Sequence, residues 1–168
     1  AILPVHVFGN PAKVDQIKLI GEEFKIPIIE DAAEAIGSKF CDKKAGSMGI
    51  FGTFSLHGTK TITTGEGGVF VTNDEKLFHK ASLYLKRHCE CCYDELTGGL
   101  VRGISIGDDH NDKCLKDKVA WVQQEALVGT LMAIRYSKNQ AIIDWATNYF
   151  NKLYKWTYQY FPLKNYGE

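Results

Sequence analysis

Short runs of apolar residues alternate with segments of helical spacing along the first half of the chain. The run Ala1–Phe8 predicts a buried strand that ends in a turn at Gly9. Asn10 and Pro11 then supply a cap and a first-turn proline, so the sequence predicts a helix from about Pro11 to Phe24. The apolar face of this helix would comprise Val14, Ile17, Ile20 and Phe24.

The same pattern continues as far as Arg87 and indicates an α/β fold. Ile26–Ile29 is a short apolar run that ends at Glu30 and Asp31, as expected of a second buried strand. The other expected elements are a helical turn (Ala32–Ile36), a strand pair or loop (Ser38–Gly46), two strands (Ile50–Leu56, Gly68–Thr72) and a helix (Glu75–Arg87). Asn73 and Asp74 are expected to cap the last of these helices. This order is typical of a mixed, mostly parallel sheet flanked by helices.

The second half of the chain has a different character. From Glu90 to Lys118 the periodicity gives way to glycine and charge, which predicts a long loop. From Val119 to Tyr160 the spacing is helical but too broad for one stripe, so we expect one long helix with a bend. Because the sequence starts inside an apolar run and stops just after a helical pattern, we interpret it as a piece of a longer protein.

Composition and charge narrow the range of partners. The 168 residues carry 20 basic and 20 acidic side chains, so no overall field favours nucleic acid or an anionic membrane. Apolar residues make up 45% of the chain but are too dispersed for a membrane span, and no secretory signal pattern opens it. Five cysteines, an odd number in a chain of this size, favour a reduced, cytoplasmic setting.

One lysine has surroundings that suggest chemistry. Lys60 stands among small residues in Ser55–Gly68 (SLHGTKTITTGEGG), with no charged residue within five positions on either side. Asp31 ends one predicted strand and Lys60 follows another, and ligands of open α/β sheets lie beyond such strand ends. A desolvated lysine is a usable amine nucleophile, and pyridoxal phosphate requires a lysine together with an acid on its ring nitrogen. The same residues also fit structural roles, with Asp31 as a helix cap, Ser55 as a core hydroxyl and the glycines as a hairpin turn.

Several segments together resemble one enzyme family. Ile29–Gly37, Phe54–Gly68 and Val71–Asp74, together with the opening Leu3–Pro11, are similar to the sugar aminotransferases of the DegT type. Those proteins are fold-type I pyridoxal phosphate enzymes that act on nucleotide-linked keto sugars. The resemblance is continuous from Ala1 to about Arg87 and is strongest to the perosamine synthases within the family.

The resemblance implies roles for five residues. Lys60 would bond covalently to the cofactor and then move the proton between cofactor and sugar carbon. Asp31 would keep the ring nitrogen protonated, Ser55 would bind the phosphate, and Glu34 falls where many members carry a glutamine near the ring. The family also has an Asn-aromatic-Arg motif on a loop that reaches the partner subunit's cofactor. The nearest candidate here is Asn111, which would be a ligand of the phosphate and preserves only the asparagine of the motif.

The resemblance also implies a reaction and an assembly. The protein would transfer an amino group from glutamate to a nucleotide-linked 4-keto-6-deoxy sugar, as a homodimer with a shared active site. Residues 1–118 would be part of the cofactor-binding large domain, and residues 119–168 would connect to a small C-terminal domain. Two alternatives remain: a dehydratase on the same scaffold, although that branch has histidine in place of Lys60, and a non-catalytic protein that keeps the fold without holding the cofactor.

The segment His88–Cys92 raises the question of a metal site. Cys89, Cys91 and Cys92 offer thiols beside a histidine, and Cys114 is a further candidate ligand. Structural zinc sites usually include a pair of cysteines separated by two residues, and this spacing is absent among these residues. We therefore expect no metal, and interpret the cysteines as incidental residues of a loop.

Overall fold

The computed structural model describes residues 1–102 and 117–161. The chain forms two units, Ala1–Phe78 and His79–Glu168, which are taken in turn below. The helices are α1 (Val14–Glu23), α2 (Glu75–Cys92), α3 (Ala120–Tyr136) and α4 (Gln140–Tyr160). The strands are β1 (Ile29–Asp31), β2 (Lys39–Phe40), β3 (Lys43–Lys44), β4 (Phe51–Ser55) and β5 (Gly68–Val71).

A three-stranded mixed sheet with the order β1-β4-β5 organises the first unit. Strand β1 runs parallel to β4, with Asp31 opposite Thr53, and β4 runs antiparallel to β5, with Ser55 opposite Gly68. The predicted mixed α/β architecture is therefore confirmed. Asp31 and Ser55 are the last residues of neighbouring parallel strands, which places both at the carboxyl edge of the sheet.

The opening segment is less of a strand than its apolar character predicts. Its backbone pairs through two isolated parallel bridges, Ile2 to Ile28 and Val5 to Asp31. The side chains of Leu3 and Val5 are 58% and 49% exposed, so the expectation of a strand buried on both faces is wrong. Alternate residues face inward, and His6 is completely buried.

Helix α1 begins three residues later than predicted, at Val14 instead of Pro11. The backbone N–H of Ala12 donates to the ring of His6 at 3.0 Å, which holds the chain in a non-helical path before Val14. The predicted apolar face is only partly correct, since Val14 is buried whereas Ile20 and Phe24 are 48% and 63% exposed.

For Ser38–Gly46 the sequence allowed a strand pair or a loop, and the structure has an antiparallel pair, β2 and β3. Cys41 and Asp42 connect them with φ values of 45° and 63°. Two successive residues in the left-handed region are the signature of a tight turn whose twist matches the flanking strands.

Small residues allow close packing behind the sheet. Ala32, Ala35 and Ala45 form a buried cluster against Phe54. Gly52 of β4 lies so close to Gly46 that a Cβ atom on Gly52 would stand 2.3 Å from the Gly46 carbonyl oxygen. The segment around Gly46 can therefore press directly onto β4.

Helix α2 is capped as predicted but is longer. The Asp74 side chain accepts hydrogen bonds from the backbone N–H groups of Lys76 (2.8 Å) and Leu77 (3.1 Å), as an N-cap residue does. The helix continues to Cys92, five residues beyond the predicted end at Arg87. The cysteines of the His88–Cys92 segment therefore lie on a helix, and their assignment to a loop is wrong.

The second unit contains a helical hairpin where one bent helix was expected. Helices α3 and α4 are separate, with Ser137 in an extended conformation between them and the Asn139 side chain accepting from the N–H of Ile142 at the start of α4. One buried cluster joins the two helices through Ala133, Ile142 and Ala146, and a second comprises Cys89, Leu100, Ala126, Tyr149 and Leu153. No helix within residues 1–102 and 117–161 is long and apolar enough to cross a membrane.

A buried side chain fixes the segment that follows α2. Gln123, fully buried, accepts from the N–H of Leu100 at 2.8 Å and donates to the carbonyl of the same residue at 2.7 Å. The Tyr149 hydroxyl donates to the Cys89 carbonyl at 2.7 Å. These bonds tie α3 and α4 to the end of α2 and its following loop.

Candidate active site

Lys60 lies on a tight turn just beyond the end of β4. Its backbone N–H donates to the carbonyl of His57 at 2.9 Å, which closes the turn. The chain then folds back along its own path, since the N–H of Leu56 donates to Gly67 and that of Thr64 donates to Leu56. Gly65 and Gly67 have φ values of 95° and 118°, which glycine adopts readily and other residues resist. The glycines therefore form the return path of a loop that presents Lys60.

The Lys60 amine is in contact with Glu34. The distance from Lys60 Nζ to Glu34 Oε1 is 3.3 Å, and the side chains are 25% and 38% exposed. The second carboxylate oxygen of Glu34 accepts the backbone N–H of Phe8 at 2.8 Å. The Phe8 hydrogen bond, followed by the one from Lys60, holds the pKa of the Glu34 carboxyl below its ordinary value. Glu34 is thus an anion that joins the opening segment to the lysine loop.

This contact changes the expected environment of the lysine. The sequence suggested a desolvated amine, whereas Lys60 is only partly buried and faces a carboxylate. The amine therefore donates a hydrogen bond to the Glu34 carboxylate. The amine has to leave Glu34, or give up a proton, before it can act as a nucleophile.

Asp31 presents a carboxylate at the end of β1. Its Oδ1 atom accepts the N–H of Ala33 at 3.0 Å, which caps a turn. Residues Ala32–Ile36 form turns and no helix, so the alternative role of Asp31 as a helix cap is wrong. Within the part of the chain that the structure describes, no donor reaches the other oxygen, Oδ2. The capping role therefore uses one oxygen and leaves the second available to a ligand.

Ser55 ends the neighbouring strand and is partly exposed. Its oxygen accepts the N–H of His57 at 3.3 Å, and its own hydroxyl proton is donated to no residue among those described. A hydroxyl with an unused proton at a strand end can donate to an anionic oxygen, such as that of a phosphate.

These groups fit pyridoxal phosphate in their chemistry. Lys60 offers an amine, Asp31 offers an unpaired carboxylate oxygen, and Ser55 offers a hydroxyl proton. All three lie at or just beyond the carboxyl ends of β1 and β4, the edge at which open α/β sheets bind ligands. The structure brings Lys60 and Glu34 into direct contact, and places Asp31 and Ser55 at the same edge without a hydrogen bond between them.

One predicted site residue lies outside the described part of the chain, and the sequence did not predict three residues in or beside the site. Asn111 lies outside the described residues, so its assignment as a phosphate ligand stays a prediction. Phe8 was not singled out from the sequence, although its N–H is bonded to Glu34 and its backbone has the left-handed φ of 52°. His6 and Glu30 form a buried pair at 3.0 Å that no spacing in the sequence indicated.

The cysteines of α2 do not form a metal centre with other described residues. In residues 1–102 and 117–161, no three His, Cys, Asp or Glu side chains are grouped to hold a metal ion, and Cys114 lies outside these ranges. Burial raises the pKa of the Cys89 thiol to about 12 and, to a smaller extent, the pKa of Cys92. These thiols therefore stay protonated at neutral pH and are poor metal ligands.

The chain is similar to curated proteins described as an aminotransferase and as a GDP-perosamine synthase. The chain is 29% identical over 152 residues to a protein of Bacillus subtilis described as a putative pyridoxal phosphate-dependent aminotransferase, EpsN, which covers 84% of this chain and 39% of the relative. It is 48% identical over 80 residues to the GDP-perosamine synthase of Escherichia coli O157:H7, which covers 48% of this chain and 22% of that protein. The chain therefore spans well under half the length of these curated relatives.

A solved structure and a family profile agree with these relatives. A DegT DnrJ EryC1 StrS aminotransferase from Brucella abortus superposes with a TM-score of 0.50 at 35% identity, over 54% of this chain and 24% of that one. The profile of the DegT/DnrJ/EryC1/StrS aminotransferase family matches residues 1–103, the part of the chain that contains β1–β5, Lys60 and Asp31. The chain belongs to the DegT/DnrJ/EryC1/StrS aminotransferase family.

Proposed function

We propose that this chain carries the cofactor-binding core of a pyridoxal phosphate-dependent sugar aminotransferase, with Lys60 as the catalytic lysine. The observation that carries the proposal is the position of the Lys60 amine beyond the end of β4, 3.3 Å from Glu34, with Asp31 at the end of the adjacent parallel strand. The family membership of residues 1–103 supports the same conclusion.

Lys60 would hold the cofactor covalently and carry a proton at its amine nitrogen. When bound, the cofactor supplies an electron-withdrawing ring that stabilises negative charge at the reacting carbon. Glu34 holds the free amine by the hydrogen bond that it accepts from Lys60 at 3.3 Å, and it would release the amine when the amine reacts. The Lys60 nitrogen then serves as acid and base toward the substrate carbon, because it stands on a loop that the glycines allow to approach a ligand closely.

Asp31 and Ser55 would hold two ends of the cofactor. Asp31 would accept a hydrogen bond from the ring nitrogen, and its negative charge would keep that nitrogen protonated. The Ser55 hydroxyl would donate to the phosphate. Both residues end strands whose backbones are fixed by the β1–β4 pairing, so the distance between these two anchors is set by the sheet.

The substrate proposal follows from the functions of the relatives. Two GDP-perosamine synthases, from Escherichia coli O157:H7 and Caulobacter vibrioides, are 48% and 47% identical to about half of this chain. This supports a nucleotide-linked 4-keto-6-deoxy sugar as acceptor and glutamate as amino donor. We further propose a cytoplasmic homodimer in which Asn111 reaches the partner's cofactor.

Trapping of the cofactor tests the proposal directly. The full-length gene product is incubated with pyridoxal phosphate, reduced with borohydride, digested and mapped by mass spectrometry. We expect the reduced adduct on Lys60, and we expect Lys60→Ala to lose both the adduct and aminotransferase activity while keeping its circular dichroism spectrum.

Lys43→Ala is the matched control, because Lys43 is an exposed lysine of the β2–β3 hairpin in the same unit. This variant should retain the adduct on Lys60 and the activity of the wild type. An adduct on Lys43 or Lys44 in place of Lys60 would refute the assignment.

A further inference from the structure

Glu30 is a completely buried carboxylate that lies one residue before Asp31. Its two oxygens accept hydrogen bonds from four donors: the backbone N–H groups of Gly46 (2.8 Å), Met48 and Gly49, and the ring of His6 (3.0 Å). A carboxylate without a proton can only accept, so four donors match its capacity. Glu30 therefore fixes the segment after β3 against β1 from the interior.

The hydrogen bonds of His6 determine which ring nitrogen carries the proton. Nδ1 accepts the backbone N–H of Ala12 at 3.0 Å, so this nitrogen carries no hydrogen. The proton of the ring is therefore on Nε2, which donates to Glu30 Oε2 at 3.0 Å. Both side chains are 0% exposed, so neither bond competes with solvent.

The backbone around His6 also holds Asp31. The N–H of Asp31 donates to the Pro4 carbonyl at 3.0 Å, and the N–H of His6 donates to the Asp31 carbonyl at 2.9 Å. His6 thus contacts both residues, through its backbone to Asp31 and through its ring to Glu30. Since successive side chains of a strand point to opposite faces, Glu30 is bonded on one face while the Asp31 carboxylate stands on the other.

We propose that His6 and Glu30 are positioning residues that fix the Asp31 carboxylate for its contact with the cofactor ring. This inference rests on the proposed function, because it assumes that Asp31 meets that ring. Neither residue touches the cofactor. Their hydrogen bonds set the position of the strand end, and small displacements of a charged group at a reacting centre cost large factors in rate.

Two substitutions of His6 separate positioning from packing. A glutamine amide can reach the place of Nε2 and donate to Glu30, whereas the shorter asparagine can replace only Nδ1 as an acceptor for Ala12. In the full-length gene product loaded with pyridoxal phosphate, His6→Asn should lower kcat about 10- to 100-fold with a smaller change in KM. It should also change the visible absorption band of the bound cofactor. His6→Gln should restore most of both properties.

Gln123→Leu is the structural control, because it removes buried hydrogen bonds in the second unit, which go to Leu100 and Val119. It should lower the thermal midpoint without altering the absorption band. Equal behaviour of His6→Gln and His6→Asn, or a band change in Gln123→Leu like that of His6→Asn, would overturn the proposal.

A measurement on the wild type keeps the proposal testable if His6→Asn does not fold. Nitrogen-15 NMR of the imidazole rings should show His6 as the neutral form with its proton on Nε2, and a proton on Nδ1 would overturn the inference. If the wild type carries no cofactor on Lys60, the proposed function fails and this inference fails with it. If the wild type is loaded normally and the two His6 variants do not differ, this inference alone fails.

Discussion

Three carboxylates within five positions of the sequence have three different hydrogen-bond environments. Glu30 is buried and accepts from four donors, Asp31 uses one oxygen for the N–H of Ala33, and Glu34 lies between the N–H of Phe8 and the amine of Lys60. Only Asp31 has an oxygen to which no described residue donates. One of the three side chains is therefore bonded in the interior, one keeps an oxygen open to a ligand, and one contacts the lysine.

Asp31→Asn should lower turnover far more than it lowers cofactor binding. An amide cannot keep a ring nitrogen protonated, so the loss of charge stabilisation should reduce kcat by about 100- to 1,000-fold, or about 3–4 kcal/mol. The phosphate anchor and Lys60 remain, so the affinity for pyridoxal phosphate should fall by less than about ten-fold. Steady-state kinetics and a fluorescence titration with the cofactor on the full-length gene product measure the two quantities.

Asp15→Asn is the control for this substitution, since Asp15 is an exposed residue in the first turn of α1. Asp15→Asn should leave both kcat and the affinity for pyridoxal phosphate unchanged. Full activity of Asp31→Asn would return Asp31 to the role of a local cap.

The lowered pKa of Glu34 predicts a pH-dependent contribution to stability. Because its pKa is lower in the folded chain than in the unfolded chain, ionised Glu34 stabilises the fold above the ordinary carboxyl pKa. This contribution is lost as the pH falls through the lowered value, where the group is protonated in both states. Urea unfolding at a series of pH values should show Glu34→Gln less stable than the wild type near neutrality, with the difference disappearing in acid.

Glu22→Gln, at an exposed position on α1, is the matched charge-removal control. A difference between wild type and Glu34→Gln that grows in acid would show that the Phe8 and Lys60 contacts do not favour the carboxylate.

The sequence predicts which candidate residues share the edge of the sheet better than it predicts what supports them. Asp31 and Glu34 lie in one quoted segment and Ser55 and Lys60 in another, and all four lie at or near the carboxyl edge of the sheet. The contact of Phe8 with Glu34 depends on a left-handed backbone at a bulky residue, which no local rule predicts. The pairing of His6 with Glu30 joins residues 24 positions apart, so only the fold reveals it.

At the scale of elements, local turn and cap chemistry was the most informative signal. Asp74 correctly marked the start of α2, and the sequence allowed the β2–β3 pair. The start of α1 was wrong because a tertiary hydrogen bond from Ala12 to His6 competes with the cap at Asn10. The division of α3 from α4 was missed because helical spacing resumes directly after Asn139.

The close contact of β4 with the segment before it makes one glycine indispensable. A Cβ atom on Gly52 would stand 2.3 Å from the Gly46 carbonyl oxygen and 2.4 Å from the Gly46 Cα. Both neighbours are backbone atoms, so relief requires the strand to move. Gly52→Ala should therefore lower the free energy of unfolding by about 1–3 kcal/mol or more, measured by urea denaturation.

Gly58→Ala provides the comparison, because a Cβ atom there would meet only the Gly65 carbonyl oxygen at an ordinary 3.5 Å. Its effect on the free energy of unfolding should stay within about 0.5 kcal/mol. Equal effects of the two substitutions would mean that β4 tolerates a shift away from Gly46.

At the scale of the whole molecule, the chain spans only part of the length of its relatives, and this limits how well it should bind a cofactor alone. It corresponds to 39% of EpsN and 22% of the GDP-perosamine synthase of Escherichia coli O157:H7. Within the described residues, the Lys60 and Glu34 side chains remain 25% and 38% exposed, so the site is open to solvent. Ligand sites that bind tightly usually enclose most of the ligand surface and exclude water.

The 168-residue chain by itself should therefore bind pyridoxal phosphate at least about ten-fold more weakly than the full-length GDP-perosamine synthase of Escherichia coli O157:H7. Cofactor fluorescence titrations of the two proteins under the same conditions measure the difference. Equal affinity would show that the groups at the carboxyl edge of β1 and β4 are sufficient to retain the cofactor.

The side chain of Gln123 gives Leu100 both of the hydrogen bonds that a neighbouring strand would give it. That exchange needs a donor and an acceptor side by side on one planar amide, at the reach of a glutamine. Single-nucleotide changes in a glutamine codon yield glutamate, lysine, leucine, proline, arginine or histidine, and none of these side chains presents such an amide. Every one-step missense mutation at this codon therefore removes at least one of the two bonds, although the position lies outside the candidate site.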